Sequence, residues 1–160
     1  MPRYPKIYYE KAAILLDNND IDGAIEAAKK EVATSESEYG YYILGMALLK
    51  KNEGMGDKSS FADAEKAFQL ANAKKPNFFE NLLELGYIKY RQRDFGAARE
   101  LYLRAARINP DSSKLARRLG DVFKEIGQSS QAIEQYQKYL RLRPTAHDKS
   151  AVEAIIKQLQ

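Results

Sequence analysis

An internal period of 34 residues constrains this chain more than any local propensity does. The segment from Leu85-Gly86 to Pro110 is echoed from Leu119-Gly120 to Pro144 at that constant offset: Gly86 falls on Gly120, Ala98 on Ala132, Tyr102 on Tyr136, Ala105 on Tyr139 and Pro110 on Pro144. A fixed repeat of this length marks units that cannot bury their apolar faces alone and have to stack. A period of this size reads as a solenoid before any local propensity is considered. Gly86 and Gly120 allow the two helices of a pair to approach closely, Ala98 and Ala132 admit the next pair, and Tyr102 and Tyr136 fill the space between neighbours. Pro110 and Pro144 stop the second helix of their copies because they lack the amide that would continue it.

Two less regular copies precede these. In the first, Tyr8, Ala12, Leu15 and Leu16 form one apolar stripe, Asp17-Asn18-Asn19-Asp20 breaks it, and Ile21, Ala24, Ile25 and Ala28 form the next. Glu31 and Glu36 stand where later copies have Ala or Tyr and then Pro. Ser35 with Glu38 has capping-box spacing and predicts the start of the third helix. The second copy runs from Leu44-Gly45 through Ala64, Phe68 and Ala71 to Pro76, but Gly45 to Ala64 spans 19 residues where the later copies have 12. The surplus falls near 52–59 and reads as an elongated turn, cheap at about 0.6 kcal/mol per doubling of loop length. Thr145-Ala146-His147-Asp148 is a capping-type start for a last helix with one apolar stripe, Val152, Ile155, Ile156 and Leu159.

The order Leu-Gly, then Ala, then an aromatic residue four on, then Pro, resembles the tetratricopeptide repeat, a helix–turn–helix unit. The resemblance covers essentially the whole chain. It implies an all-α, right-handed α-solenoid of about four helical hairpins with a C-terminal capping helix, forming one domain over 1–160. The repeats are expected at about 4–36, 37–76, 77–110 and 111–144, and the cap at 145–160.

Composition narrows the chemistry. With no Cys among 160 residues there is no disulfide, thiolate metal site or cysteine nucleophile. No apolar run reaches the roughly 18–20 residues of a membrane span, and Met1-Pro2-Arg3-Tyr4-Pro5-Lys6 lacks the apolar stretch of a secretory signal, so a cytoplasmic location is expected. The net charge of +4 is uneven: residues 1–76 carry 11 Lys/Arg against 12 Asp/Glu, 77–110 carry 6 against 4, and 111–160 carry 9 against 6. Acidic ligands would be steered to the C-terminal side.

Asn18-x-Asp20-x-Asp22-Gly23 imitates the front of a calcium loop, but Lys29 occupies the position that needs a bidentate Glu; the cluster reads as a helix N-cap. Gly54-Met55-Gly56-Asp57-Lys58-Ser59 resembles a fragment of a phosphate loop, without its first Gly (Lys51 is there) and with an acid beside the Lys. His147, the single histidine, has no second His or Cys to make a metal site or a dyad. The expectation is a non-enzyme with no metal and no cofactor.

In the family that this chain resembles, the first helices of the repeats line a concave groove. Carried over position by position, that groove comprises Tyr9 and Ala13; Tyr39, Tyr42, Met46 and Leu49; Glu80, Leu83, Glu84, Tyr87, Tyr90 and Arg91; and Lys114, Arg117, Arg118, Asp121 and Lys124. It is aromatic and apolar at one end and basic at the other, which suits a partner peptide with apolar and acidic residues. One branch of the family clamps the acidic tail of heat-shock chaperones. Lys114 and Arg118 match its last pair, but Tyr42, Met46 and Glu84 replace a Lys and two Asn, and the likeness does not extend to that partner. Chaperones of bacterial secretion systems are similar in length, so an unfolded client is a sub-case. The alternative is nucleic-acid binding by the basic C-terminal half, with Glu80, Glu84, Asp121 and Glu125 interrupting the basic surface. Self-association stays open.

Overall fold

The computed structural model describes residues 7–55 and 61–160. Among them are nine helices and no strand: α1 (Ile7–Asp17), α2 (Ile21–Ser35), α3 (Glu38–Met55), α4 (Phe61–Lys74), α5 (Phe79–Arg91), α6 (Phe95–Ile108), α7 (Ser113–Glu125), α8 (Ser129–Leu142) and α9 (Lys149–Leu159). The chain forms two compact units, Met1–Glu84 and Leu85–Gln160, whose boundary falls inside α5. In the first, α1 pairs with α2 and α3 with α4; in the second, α7 pairs with α8, and α9 packs on α8. No helix among the described residues is long and apolar enough to cross a membrane.

Side chains start the helices where orphan amides need acceptors. The Asp20 carboxylate accepts from the Gly23 amide (3.0 Å), Asp94 from Ala97 (3.1 Å) and Ser112 from Leu115 (3.2 Å). The calcium-like cluster is therefore an N-cap, and its Asp22 pairs with Lys51 at 2.8 Å. The turn within a hairpin needs one left-handed residue, and the repeat supplies it at matched positions: Asn19 (φ 61°), Arg93 (φ 65°) and Gly127 (φ 74°).

Two expectations need correction here. The cap of α3 is Ser37, whose hydroxyl accepts from the Gly40 amide, not Ser35. Ser35 belongs to α2 and donates to the Glu31 carbonyl and carboxylate, because α2 runs on until Glu36 turns left-handed (φ 43°). The surplus of the second copy is also partly helical, since α3 continues to Met55. Asn52 is buried there, and Lys50 donates to the Leu16 carbonyl at 2.6 Å, closing the end of α1. The rest of the expected turn, with most of the phosphate-loop-like fragment, lies outside the described residues. At the other end Thr145 does not cap α9; Asp148 precedes the helix and makes no capping bond of its own.

The packing rule of the hairpins is a ring on a glycine. A Cβ placed on Gly86 would stand 2.4 Å from Cε1 of Tyr102; on Gly120 it would meet the Tyr136 ring at 2.6 Å, and on Gly45 the Phe68 ring at 2.7 Å. Tyr102, Tyr136 and Phe68 are all buried. The rings thus lie against the glycine of their own hairpins, and Tyr102 also borders Arg118 and Asp121 of the next one. The first hairpin solves the same problem with less volume, placing fully buried Ala12 and Ala28 at the two positions. Ala24, Ala64, Ala98 and Ala132, four residues before the ring position in each copy, are also fully buried.

Gly86→Ala is therefore expected to destabilise the chain by about 1–3 kcal/mol through overpacking, and Tyr102→Ala by about 3–5 kcal/mol through a cavity. In the double variant, which recreates the Ala12/Ala28 arrangement, the two losses are expected to fall short of their sum by more than about 0.5 kcal/mol. Urea unfolding of the four proteins checks this, and strict additivity would contradict the ring-on-glycine contact.

Candidate functional site

The expected groove positions fall on two surfaces, one in each unit. In the first unit an aromatic series runs from ring to ring: Tyr9 to Tyr39 (centroids 5.9 Å), Tyr39 to Phe78 (5.3 Å), Phe78 to Tyr42 (4.9 Å) and Tyr42 to Phe68 (5.9 Å). These separations lie in the range of favourable edge and offset contacts. Lys75 stands over the rings of Tyr39 and Phe78 at 5.2 and 5.1 Å, and its ammonium donates to the Tyr39 hydroxyl at 3.3 Å. Tyr9, Tyr39, Tyr42 and Met46 are half-buried, so each serves packing while keeping part of its surface in solvent. Leu49, Leu83 and Glu84 are buried, and belong to the packed interior rather than to a presented surface.

In the second unit Tyr87, Tyr90, Tyr102, Arg118 and Asp121 line a pocket contributed by α5, α6 and α7. Arg118 lies over the Tyr87 ring at 4.8 Å and Arg91 over the same ring at 5.6 Å; Arg91 also donates to the Tyr87 hydroxyl at 2.6 Å. Tyr90 packs against Phe95 at 5.5 Å. Lys114 and Arg91 are exposed at this end of the chain, while Tyr87, Tyr90 and Arg118 are half-buried.

Arg117 has a different environment. Its guanidinium pairs with Asp121 at 3.2 Å and Asp148 at 3.5 Å and stacks over Tyr136 (5.3 Å) and Tyr139 (6.0 Å). It is an internal tie between α7, α8 and the start of α9, rather than a charge presented to an acidic ligand. The Tyr136 hydroxyl donates to Asp121 at 2.8 Å and the Tyr139 hydroxyl to Asp148 at 2.5 Å. Burial raises the Asp121 carboxyl above its ordinary value of 3.8, outweighing the lowering by Arg117 and by the Tyr136 bond. Burial, together with the Asp121 charge, also raises the Tyr136 phenol, which stays a donor. Asp148 is lowered, first by the Tyr139 bond, and Tyr139 is raised, first by the same bond.

The groove positions implied by the family resemblance include the tyrosines and arginines but not Lys75, Phe78 or the part of Tyr102 that walls the pocket. Lys75 and Phe78 flank Pro76 in an inter-helix turn, where helical periodicity carries no signal. Among the described residues no group of three or more His, Asp or Glu is placed to hold a metal ion.

A sequence profile of the family described as Tetratricopeptide repeat matches residues 56–113 and again 83–147, together more than half of the chain. A TPR repeat-containing protein of Methanocaldococcus jannaschii is 26% identical over 96% of this chain, which spans 34% of that relative's length. A thermophilic TPR protein of Thermus thermophilus superposes with a TM-score of 0.80 at 21% identity, covering 98% of this chain and 83% of that one. The MamA fragment of Desulfovibrio magneticus does so with 0.74 at 17% identity, over 99% and 94%. At these identities the two solved structures establish the fold.

Because folded Asp121 holds its proton more readily than the unfolded chain does, its stabilising share is complete below the ordinary carboxylate value. That share is lost as pH rises through the raised folded value. Asp121→Asn keeps an acceptor for Tyr136 and does not titrate. Its melting temperature relative to the unmodified protein is therefore expected to improve from about pH 3.5 to about pH 7; a relative decline over that range, followed by circular dichroism, would contradict the burial argument.

Proposed function

We infer the function from membership: the chain belongs to the tetratricopeptide repeat family, whose fold is generally a non-catalytic scaffold for protein–protein interaction. We propose that this protein is such a scaffold or adaptor and that it binds a peptide segment of a partner on the faces of its first helices. The half-buried Tyr9, Tyr39, Tyr42 and Met46 in the first unit would meet apolar side chains. Tyr87, Tyr90, Arg91, Lys114 and Arg118 in the second would meet a stretch with acidic residues. The observation that carries this reading is the pairing of half-buried tyrosines with arginines stacked on them, as at Tyr87. A large amphipathic ring with few rotors to freeze suits a contact surface, and Tyr and Arg are, with Trp, the residue types enriched at binding hot spots.

Affinity capture with the full chain, followed by mass spectrometry, supplies the partner. For a captured partner, Arg118→Glu is expected to weaken binding and flatten its dependence on salt. Tyr42→Ala is expected to weaken it with the slope unchanged, since apolar burial is not screened. Equal slopes for the two variants would overturn the division of labour. Retention of single- or double-stranded nucleic acid in a gel shift at about 100 mM salt, with no protein captured, would replace the reading altogether.

A further inference from the structure

We propose that a groove bounded by α6, α7 and α8 receives helix α1 of a second copy of this chain, so that copies associate head to tail. The groove lies wholly within the second unit and measures about 180 Å³. Its floor is Leu115, Leu119 and Phe123 of α7; α6 supplies Leu103 to one wall and α8 supplies Glu134 to the other. It has no lining residue in common with the tyrosine pocket, because α7 sends Arg118 and Asp121 into that pocket from a different face. Leu103 is left 42% exposed at the rim. An apolar cavity of about 150 Å³ accommodates benzene, so this space fits one branched aliphatic side chain.

The chain carries the matching helix itself. Ile7, Lys11 and Ile14 recur at i, i+4 and i+7 and share one face of α1, opposite the Ala12 and Leu16 that this helix buries. Ile7 is 56% exposed and Ile14 60%, forming the kind of stripe that docks a helix into a groove. Seven residues of helix span about 10.5 Å. Gln131 and Lys138, both in the α8 wall, are separated by the same seven residues, so stripe and groove agree in length. Charge agrees as well. Lys11 and Glu134 pair with no charged group among the described residues, whereas Lys138 in the same wall is held by Asp111 at 3.6 Å. The lysine within the stripe thus meets an acid in the wall that lacks a cation. One face of one helix buries less than a standard interface, so the association is weak and reversible. It uses none of the residues assigned to peptide binding and stands apart from that reading.

Sedimentation velocity of the full chain over a concentration series tests this. The unmodified protein is expected to sediment faster as its concentration rises. Ile14→Ser, Lys11→Glu and Glu134→Lys are each expected to weaken the association by at least about fivefold, and the double variant Lys11→Glu/Glu134→Lys to restore it. All three positions are exposed, so each variant is expected to keep the melting temperature of the unmodified protein. Mixing Ile14→Ser with Glu134→Lys brings together one intact helix and one intact groove, and is expected to recover dimers but nothing larger. A monomer at every concentration would overturn the proposal and leave the groove to a partner of another kind. Association that Ile14→Ser leaves intact, or that the charge-exchanged double variant fails to recover, would overturn it equally.

Discussion

The contact between an aromatic ring and a helical glycine sets the geometry on which the rest of this structure depends. A glycine inside a helix costs about 1 kcal/mol relative to alanine. Burying a tyrosine or phenylalanine removes some 150–250 Å² from water, worth several kcal/mol at about 25 cal/mol per Å². The exchange is favourable only when ring and glycine face each other, which couples Gly45 to Phe68, Gly86 to Tyr102 and Gly120 to Tyr136. The fully buried alanines four residues before each ring follow from the same closeness, as does the tight turn that needs a left-handed residue at Arg93 and Gly127.

The C-terminal end shows how a repeat stack is finished with polar as well as apolar contacts. Val152 is fully buried, and the segment leading into α9 is held by Asp148, which accepts from Tyr139 and pairs with Arg117. Because Arg117 also pairs with Asp121, and Asp121 accepts from Tyr136, the chain of contacts returns to the ring that sits on Gly120. A single guanidinium thereby links the closing helix to the packing rule of the hairpin beneath it. Removing it would take away the cation that both carboxylates share, a larger loss than one surface ion pair.

Much of this was legible in the amino-acid order, because a repeat multiplies weak local signals. Gly86, Ala98 and Tyr102 mean little singly and a great deal when Gly120, Ala132 and Tyr136 return at the same step. The features that escaped depend on neighbours distant in the chain or on competition between adjacent residues. Ser35 and Ser37 are both competent caps, and only the point at which Glu36 turns left-handed chooses between them. The continuation of α3 reflects partners elsewhere: Lys50 finds a carbonyl on α1, and Asn52 is buried. Arg117 read as a groove cation because its second acid, Asp148, lies in a separate helix start. Leu49, Leu83 and Glu84 carried the right register for a first-helix face, yet burial of a position is decided by what packs above it.

The alanine pair of the first hairpin carries a consequence for how such arrays are recombined. Ala12 and Ala28 together occupy less room than a glycine with a phenol ring, so this hairpin and its successors are cut to different gauges. A module grafted from one place in the array to another must bring both partners of its own pair. Moving one alone leaves either a hole or a collision, whatever the outer surface of the transplanted segment looks like.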